Sequence, residues 1–267
     1  MQLGLDDKVA LVTGSWRGTG AGIAEVLAAE GATVLVHGLE PGPADATVAA
    51  IERAGGRAVA VHGDIRTDDG AAELRASVEA VVDRVDIVVN NYGAADGTTW
   101  EDATGPSWHA SYDTNVVSAV RVVDAFVDGM RQRGWGRIVF VATVGATRPG
   151  ERNPEYYGAK GALPAVTVSL ARHLAGTGIT VNCVSPGLIA TPEVIERFTA
   201  QARRRGLDTD WASVERHVLE SVMPNHTGRV AFPEDIGRFV AMVVSEPSWH
   251  LNGAHLRIDG GAADAVT

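Results

Sequence analysis

Tyr156 and Lys160 stand four residues apart in a stretch, 155–175, whose pattern predicts a helix, so their side chains share one face. A free phenol has a pKa of about 10 and is a poor base at neutral pH. A neighbouring ammonium favours the phenolate, so the pair suits proton exchange with a carbonyl or alcohol oxygen. A positioned group doing that work accelerates a reaction by about 100–10,000-fold. Tyr157, three residues before Lys160, offers a second phenol at helical spacing. Thr143 closes a predicted strand at 137–142, and its hydroxyl can donate to the same substrate oxygen. Asn115 falls inside a predicted helix at 107–133, although its amide competes for backbone bonds there.

A second constellation, Thr13-Gly14-Ser15-Trp16-Arg17-Gly18-Thr19-Gly20, leads from a predicted strand at 8–13 into a predicted helix at 21–30. Glycines let the backbone approach a pyrophosphate closely, and the N–H groups of a helix start face the anion. Between a first strand and a first helix, such a loop reads as a dinucleotide site.

Both constellations need a frame that brings residues far apart in sequence to one edge. Further strands are predicted at 33–37, 57–61, 86–90, 180–184 and 255–258, with helices at 44–54, 69–83 and 233–245 between them. This alternation implies an α/β fold with a doubly wound parallel sheet of about seven strands and helices on both faces. Four strands are near-continuous apolar runs, as burial on both faces requires. Ligands then bind beyond the carboxyl ends of the strands. The 267 residues suit one domain, 1–267, with a polar segment at about 191–227 serving as a helical lid over a substrate.

The loop spacing Thr-Gly-x-x-x-Gly-x-Gly, the Tyr156–Lys160 pair and Asn90-Asn91-Tyr92-Gly93 resemble the short-chain dehydrogenase/reductase family. Pro186-Gly187 with Thr191, Pro233-Glu234-Asp235 and Asp259-Gly260-Gly261 extend that resemblance over nearly the whole chain. Tyr92 stands where the family has alanine, and Thr143 where it usually has serine. The family's hydroxyl lies thirteen residues before its catalytic tyrosine; that count leads from Thr143 to Tyr156, not Tyr157. The resemblance implies a Rossmann-type oxidoreductase transferring hydride between a nicotinamide cofactor and a carbonyl or alcohol, with Asn115, Thr143, Tyr156 and Lys160 catalytic. It implies cofactor contacts from Gly14, Ser15, Trp16, Arg17, Gly18, Thr19, Gly20, Asp64, Ile65, Asn91, Tyr156, Lys160, Pro186, Gly187, Ile189 and Thr191. Lys160 would hold the nicotinamide ribose, and Asn115 a water linked to that lysine. Gly38 occupies the position of the acid that selects NAD(H), and Arg17 lies where a guanidinium can pair with an extra phosphate, so NADP(H) is expected over NAD(H). A ketone or 3-oxoacyl reductase is the leading reading. A silent nucleotide-sensing protein and an epimerase or dehydratase with retained cofactor are the alternatives. The resemblance also implies a homo-oligomer, a tetramer.

Composition narrows the partners. A net charge of −10 argues against nucleic acid or an anionic membrane. One cysteine, Cys183, in an apolar run fits a core position and a reducing, cytoplasmic setting. The eight histidines are scattered without metal-ligand spacing, so no metal is expected. Arg148, Tyr92, Tyr157 and Trp211 are pocket-wall candidates, and Pro164, inside the predicted helix, is expected to kink it or widen a turn.

Overall fold

Seven apolar, β-branched stretches pair in register into one parallel sheet, and the segments between them coil into helices that cover both faces. A computed structural model describes residues 2–95 and 97–264. The strands are β1 (Val9–Val12), β2 (Thr33–Gly38), β3 (Arg57–His62), β4 (Ile87–Asn90), β5 (Gly136–Val141), β6 (Ile179–Pro186) and β7 (His255–Ile258). Their order, β3-β2-β1-β4-β5-β6-β7, reverses direction between β1 and β4. That reversal opens a crevice beyond the carboxyl ends of these two strands.

Side-chain alternation divides the core into two layers. Ala10, Val12, Val34, Val36, Ile87 and Val89 face one side. There they pack on α1 (Gly18–Ala29), α2 (Asp45–Arg53) and α9 (Pro233–Val244). Leu11, Leu35, Val88, Ile138, Phe140 and Cys183 face the other. Those residues meet α3 (Asp68–Glu79), α5 (Ser118–Arg133) and α6 (Pro154–His173). Cys183 is fully buried, and burial pushes its thiol up to about 12, which leaves it an inert core residue.

Two segments differ from their sequence reading, at 107–133 and at Pro164. The long helix expected at 107–133 begins as α4 (Gly105–Tyr112), widens into a π-turn (Asp113–Val117) and continues as α5. The cause sits in the turn itself: Asn115 Nδ2 donates to the Ser111 carbonyl at 3.0 Å, taking the acceptor that an α-helix assigns to the Asn115 backbone N–H. No widened turn forms at Pro164; α6 runs through it unbroken, anchored by buried Leu163 and Thr167 on either side. The polar segment at 191–227 contains two helices, α7 (Pro192–Arg204) and α8 (Trp211–Ser221). No helix among the described residues is long and apolar enough to cross a membrane. No group of three or more His, Cys, Asp or Glu residues there could hold a metal ion.

Candidate active site

The loop between β1 and α1 is fixed by hydrogen bonds from below. Ser15 Oγ donates to the Val12 carbonyl at 2.6 Å and accepts the His37 N–H at 2.9 Å. The Gly14 N–H donates to His37 Nδ1 at 3.0 Å, so the ring proton is on Nε2 and is donated to the Gly63 carbonyl at 2.9 Å. Burial pushes His37 down to about 4, so the ring is neutral, as an acceptor of that N–H must be. From the other side, Asn91 Nδ2 donates to the carbonyls of Thr13 and Gly14 at 2.9 and 3.3 Å. Thr13 Oγ1 accepts the N–H groups of Asn91 and Tyr92 at 3.1 and 3.0 Å.

Gly20 shows why this loop tolerates no side chain at its base. A Cβ there would lie 2.4 Å from the Gly14 carbonyl oxygen and 2.6 Å from Asn91 Nδ2. No side chain caps the start of α1, so its first N–H groups are available to an anion. These features fit a dinucleotide: a glycine cradle for the pyrophosphate, leading into a cavity of about 630 Å³ beyond β1, β4, β5 and β6.

Gly14, Trp16, Arg17, Gly18, Thr19, Gly20, Asn91, Tyr156, Lys160, Pro186, Gly187 and Ile189 line that cavity, together with Thr143. The other expected contacts lie off its walls. Ser15 is fully buried beneath the loop. Asp64 is held by Arg66 through two bonds of 2.8 and 2.7 Å, and Ile65 belongs to the core. Thr191 caps α7, and Asn115 exchanges bonds with the Ala94 backbone, accepting from N–H at 3.0 Å and donating to the carbonyl at 2.9 Å. Sequence reasoning passed over His37, Leu39 and Glu193. Leu39 and Glu193 line the cavity, and the signal for His37 was a lone polar residue closing an apolar strand that must find partners once buried. Of the pocket-wall candidates, Tyr92 lines the cavity, 6.2 Å from Trp16 between ring centroids.

At the far end, Tyr156 and Thr143 share the cavity wall, and the Thr143 hydroxyl is near enough to influence the phenol. The lowered phenol expected from Lys160 is not found: burial raises Tyr156 to about 12, and the Thr143 hydroxyl opposes this only in part. Lys160 Nζ instead donates to the Val141 carbonyl at 2.8 Å, and burial brings its ammonium down to about 8. Tyr157 turns away beneath residues 145–150; its ring would lie 2.1 Å from a Cβ on Gly145, which only glycine avoids. Glu155, beside Tyr156, accepts hydroxyl bonds from Thr98 and Ser107, the latter at 2.8 Å, and so straps residues 98–107 to the start of α6.

The helices α7 and α8 are joined by a small cluster of their own. Phe198, Ala202, Val214 and Val218 are buried there, with Leu188, Val194 and Trp211 packed against them.

The sequence profile of the short chain dehydrogenase family matches residues 8–202. The chain is 34% identical over 259 residues to the D-beta-hydroxybutyrate dehydrogenase of Cupriavidus necator, covering 96% of this chain and 98% of that protein. Among solved structures, the L-sorbose reductase of Gluconobacter frateurii, complexed with NADPH and L-sorbose, superposes with a TM-score of 0.92 at 31% identity over 100% of both chains. A 3-oxoacyl (acyl-carrier-protein) reductase of Agrobacterium tumefaciens C58, with NADP bound, gives 0.85 at 31% identity, over 97% of this chain and 96% of the other.

Proposed function

The chain belongs to the short-chain dehydrogenase family, and from that premise we propose that it reduces a ketone or 3-oxoacyl group with NADP(H). When bound, the nicotinamide supplies a hydride to the carbonyl carbon or takes one from the corresponding alcohol. The observation carrying the proposal is that Thr143, Tyr156 and Lys160 line one cavity whose other end is the glycine cradle.

In this reading Tyr156 gives its proton to the substrate oxygen, and Thr143 donates a hydrogen bond to the same atom. The elevated phenol supports the reducing direction, since it stays protonated at neutral pH. Lys160 would hold the nicotinamide ribose, and Asn115 fixes the Ala94 backbone. Preference for NADP(H) is supported by Arg17 on the cavity wall and by Gly38 where an NAD-selecting acid would stand. The α7–α8 segment serves as the lid that shields the reacting atoms from water. A homotetramer in the cytoplasm is the assembly and setting we infer with it.

The test is a carbonyl panel read by loss of reduced-cofactor absorbance. Net consumption is expected for a ketone or 3-oxoacyl thioester, and Tyr156→Phe should lower kcat by about 100–10,000-fold. A Tyr156→Phe enzyme within threefold of the parent overturns the assignment. Product without net consumption would favour an epimerase, and silence with cofactor bound a sensing role.

A further inference from the structure

Arg17, in the glycine loop, and Glu193, in the first turn of α7, form an ion pair at the rim of the cavity, Nη1 to Oε1 at 3.4 Å. Their side chains are 64% and 48% exposed, so the pair is weak and open to exchange. Contact between the two segments is direct: a methyl on Gly18 would stand 3.7 Å from Thr191 Cγ2 and 4.0 Å from Glu193 Oε2. The Glu193 carboxylate is held below its ordinary value first by its own backbone N–H at the helix start, then by Thr191, with Arg17 a lesser influence. It stays anionic with or without the guanidinium, so Arg17 is the member free to change partners.

We propose that Glu193 is a specificity-determining residue that competes with the 2′-phosphate of NADP(H) for Arg17. The inference rests on the reading that Arg17 receives that phosphate. NAD(H) has no such group, so Arg17 remains with Glu193 when NAD(H) binds. NADP(H) must draw the guanidinium away, and its binding is weakened by whatever the Arg17–Glu193 pair contributes. The carboxylate therefore trims the preference for the phosphorylated cofactor, and an amide in its place restores it. Glu196, exposed one turn further along α7, carries the same charge without this contact and is the natural control.

The experiment measures dissociation constants for NADPH and NADH by fluorescence titration, with Trp16 on the cavity wall as reporter. Glu193→Gln should raise the ratio of the NADH constant to the NADPH constant by about two- to fivefold, the range that a half-exposed ion pair supplies. Glu196→Gln should leave the ratio unchanged. In an Arg17→Gln background, adding Glu193→Gln should no longer move it. An unchanged ratio in Glu193→Gln, an equal rise in Glu196→Gln, or a full effect without Arg17 each overturns the competition. Tighter NADH binding by the parent protein overturns the cofactor reading instead. If Glu193→Gln still shifts that parent towards NADPH, the competition stands on its own.

Discussion

The two ends of the cavity are built in opposite ways. The cofactor end is a backbone structure: Gly14, Ser15 and Asn91 are tied through His37 and Thr13 into the carboxyl ends of β1, β2 and β4, on top of the larger core. The substrate end depends on side chains. The α7–α8 segment proposed as its lid folds around its own cluster of four buried residues and meets the glycine loop through an exposed ion pair. A cofactor common to many reactions is thus met by parts that a single added methyl would break. The segment proposed to face the variable molecule is carried by a separate small cluster that can be repacked without disturbing the sheet.

Substitutions in the cradle should have the largest effect. Gly20→Ala places a Cβ 2.4 Å from a backbone oxygen and 2.8 Å from Ser15 Cα, atoms that cannot swing aside. Overpacking of this kind costs about 1–3 kcal/mol, so cofactor affinity should fall by about 10- to 100-fold in titration. An equal loss from an alanine substitution at the exposed Glu196 would erase the contrast between rigid and adaptable ends.

Truncating one buried side chain in each region sharpens the comparison. Leu27, fully buried on α1, lies in the layer beneath the glycine loop; Leu27→Ala should lower Tm by about 6–15 °C. Phe198 is the largest buried side chain of the α7–α8 cluster. Phe198→Ala should shift the main transition by less than half as much, because a satellite cluster opens locally before the sheet melts. Arg203, Arg204 and Arg205 lie exposed at the end of α7, so trypsin cleavage there should rise at least about tenfold in the variant. Equal losses of Tm without faster cleavage would mean that the α7–α8 cluster and the sheet unfold as one unit.

The same division governs what could be read from the amino-acid order. Strands such as Val34-Leu35-Val36 and the glycine loop were legible because local rules act on neighbours: apolar runs buried on both faces, and glycine where the backbone crowds. The family count from Thr143 points to Tyr156 rather than Tyr157, and the structure puts Thr143 and Tyr156 on the cavity wall while the Tyr157 ring packs under Gly145. The π-turn was not legible, since it depends on whether Asn115 captures the Ser111 carbonyl, a choice settled by Ala94 arriving from another segment. Nor was the direction of the Tyr156 shift: helical spacing gave Lys160 as neighbour, but Lys160 turns to Val141 and burial raises the phenol. Contacts between distant segments, such as Arg17 with Glu193, leave no local pattern at all.

His37 supplies the smallest effect and the most selective one. Its value in the unfolded chain is near 6.5 and burial sets it near 4 in the fold, so the folded protein binds fewer protons between those values. The stability associated with the neutral ring is therefore complete above pH 6.5 and is lost as pH falls through 4. Between pH 7.5 and pH 5 the loss should be about 2 kcal/mol, and His37→Gln should remove that part of the pH slope in urea unfolding. The folded ring itself takes up a proton only near pH 4, and this removes the acceptor for the Gly14 N–H, so cofactor affinity should hold between pH 7.5 and pH 5 and weaken as pH falls through 4. Trypsin cleavage at residues 203–205 should not follow that pH course once corrected for the protease itself, because the α7–α8 cluster is built from the apolar residues Phe198, Ala202, Val214 and Val218. If cleavage there and cofactor affinity change together as pH falls, the two ends of the cavity are coupled, and the division drawn between them fails.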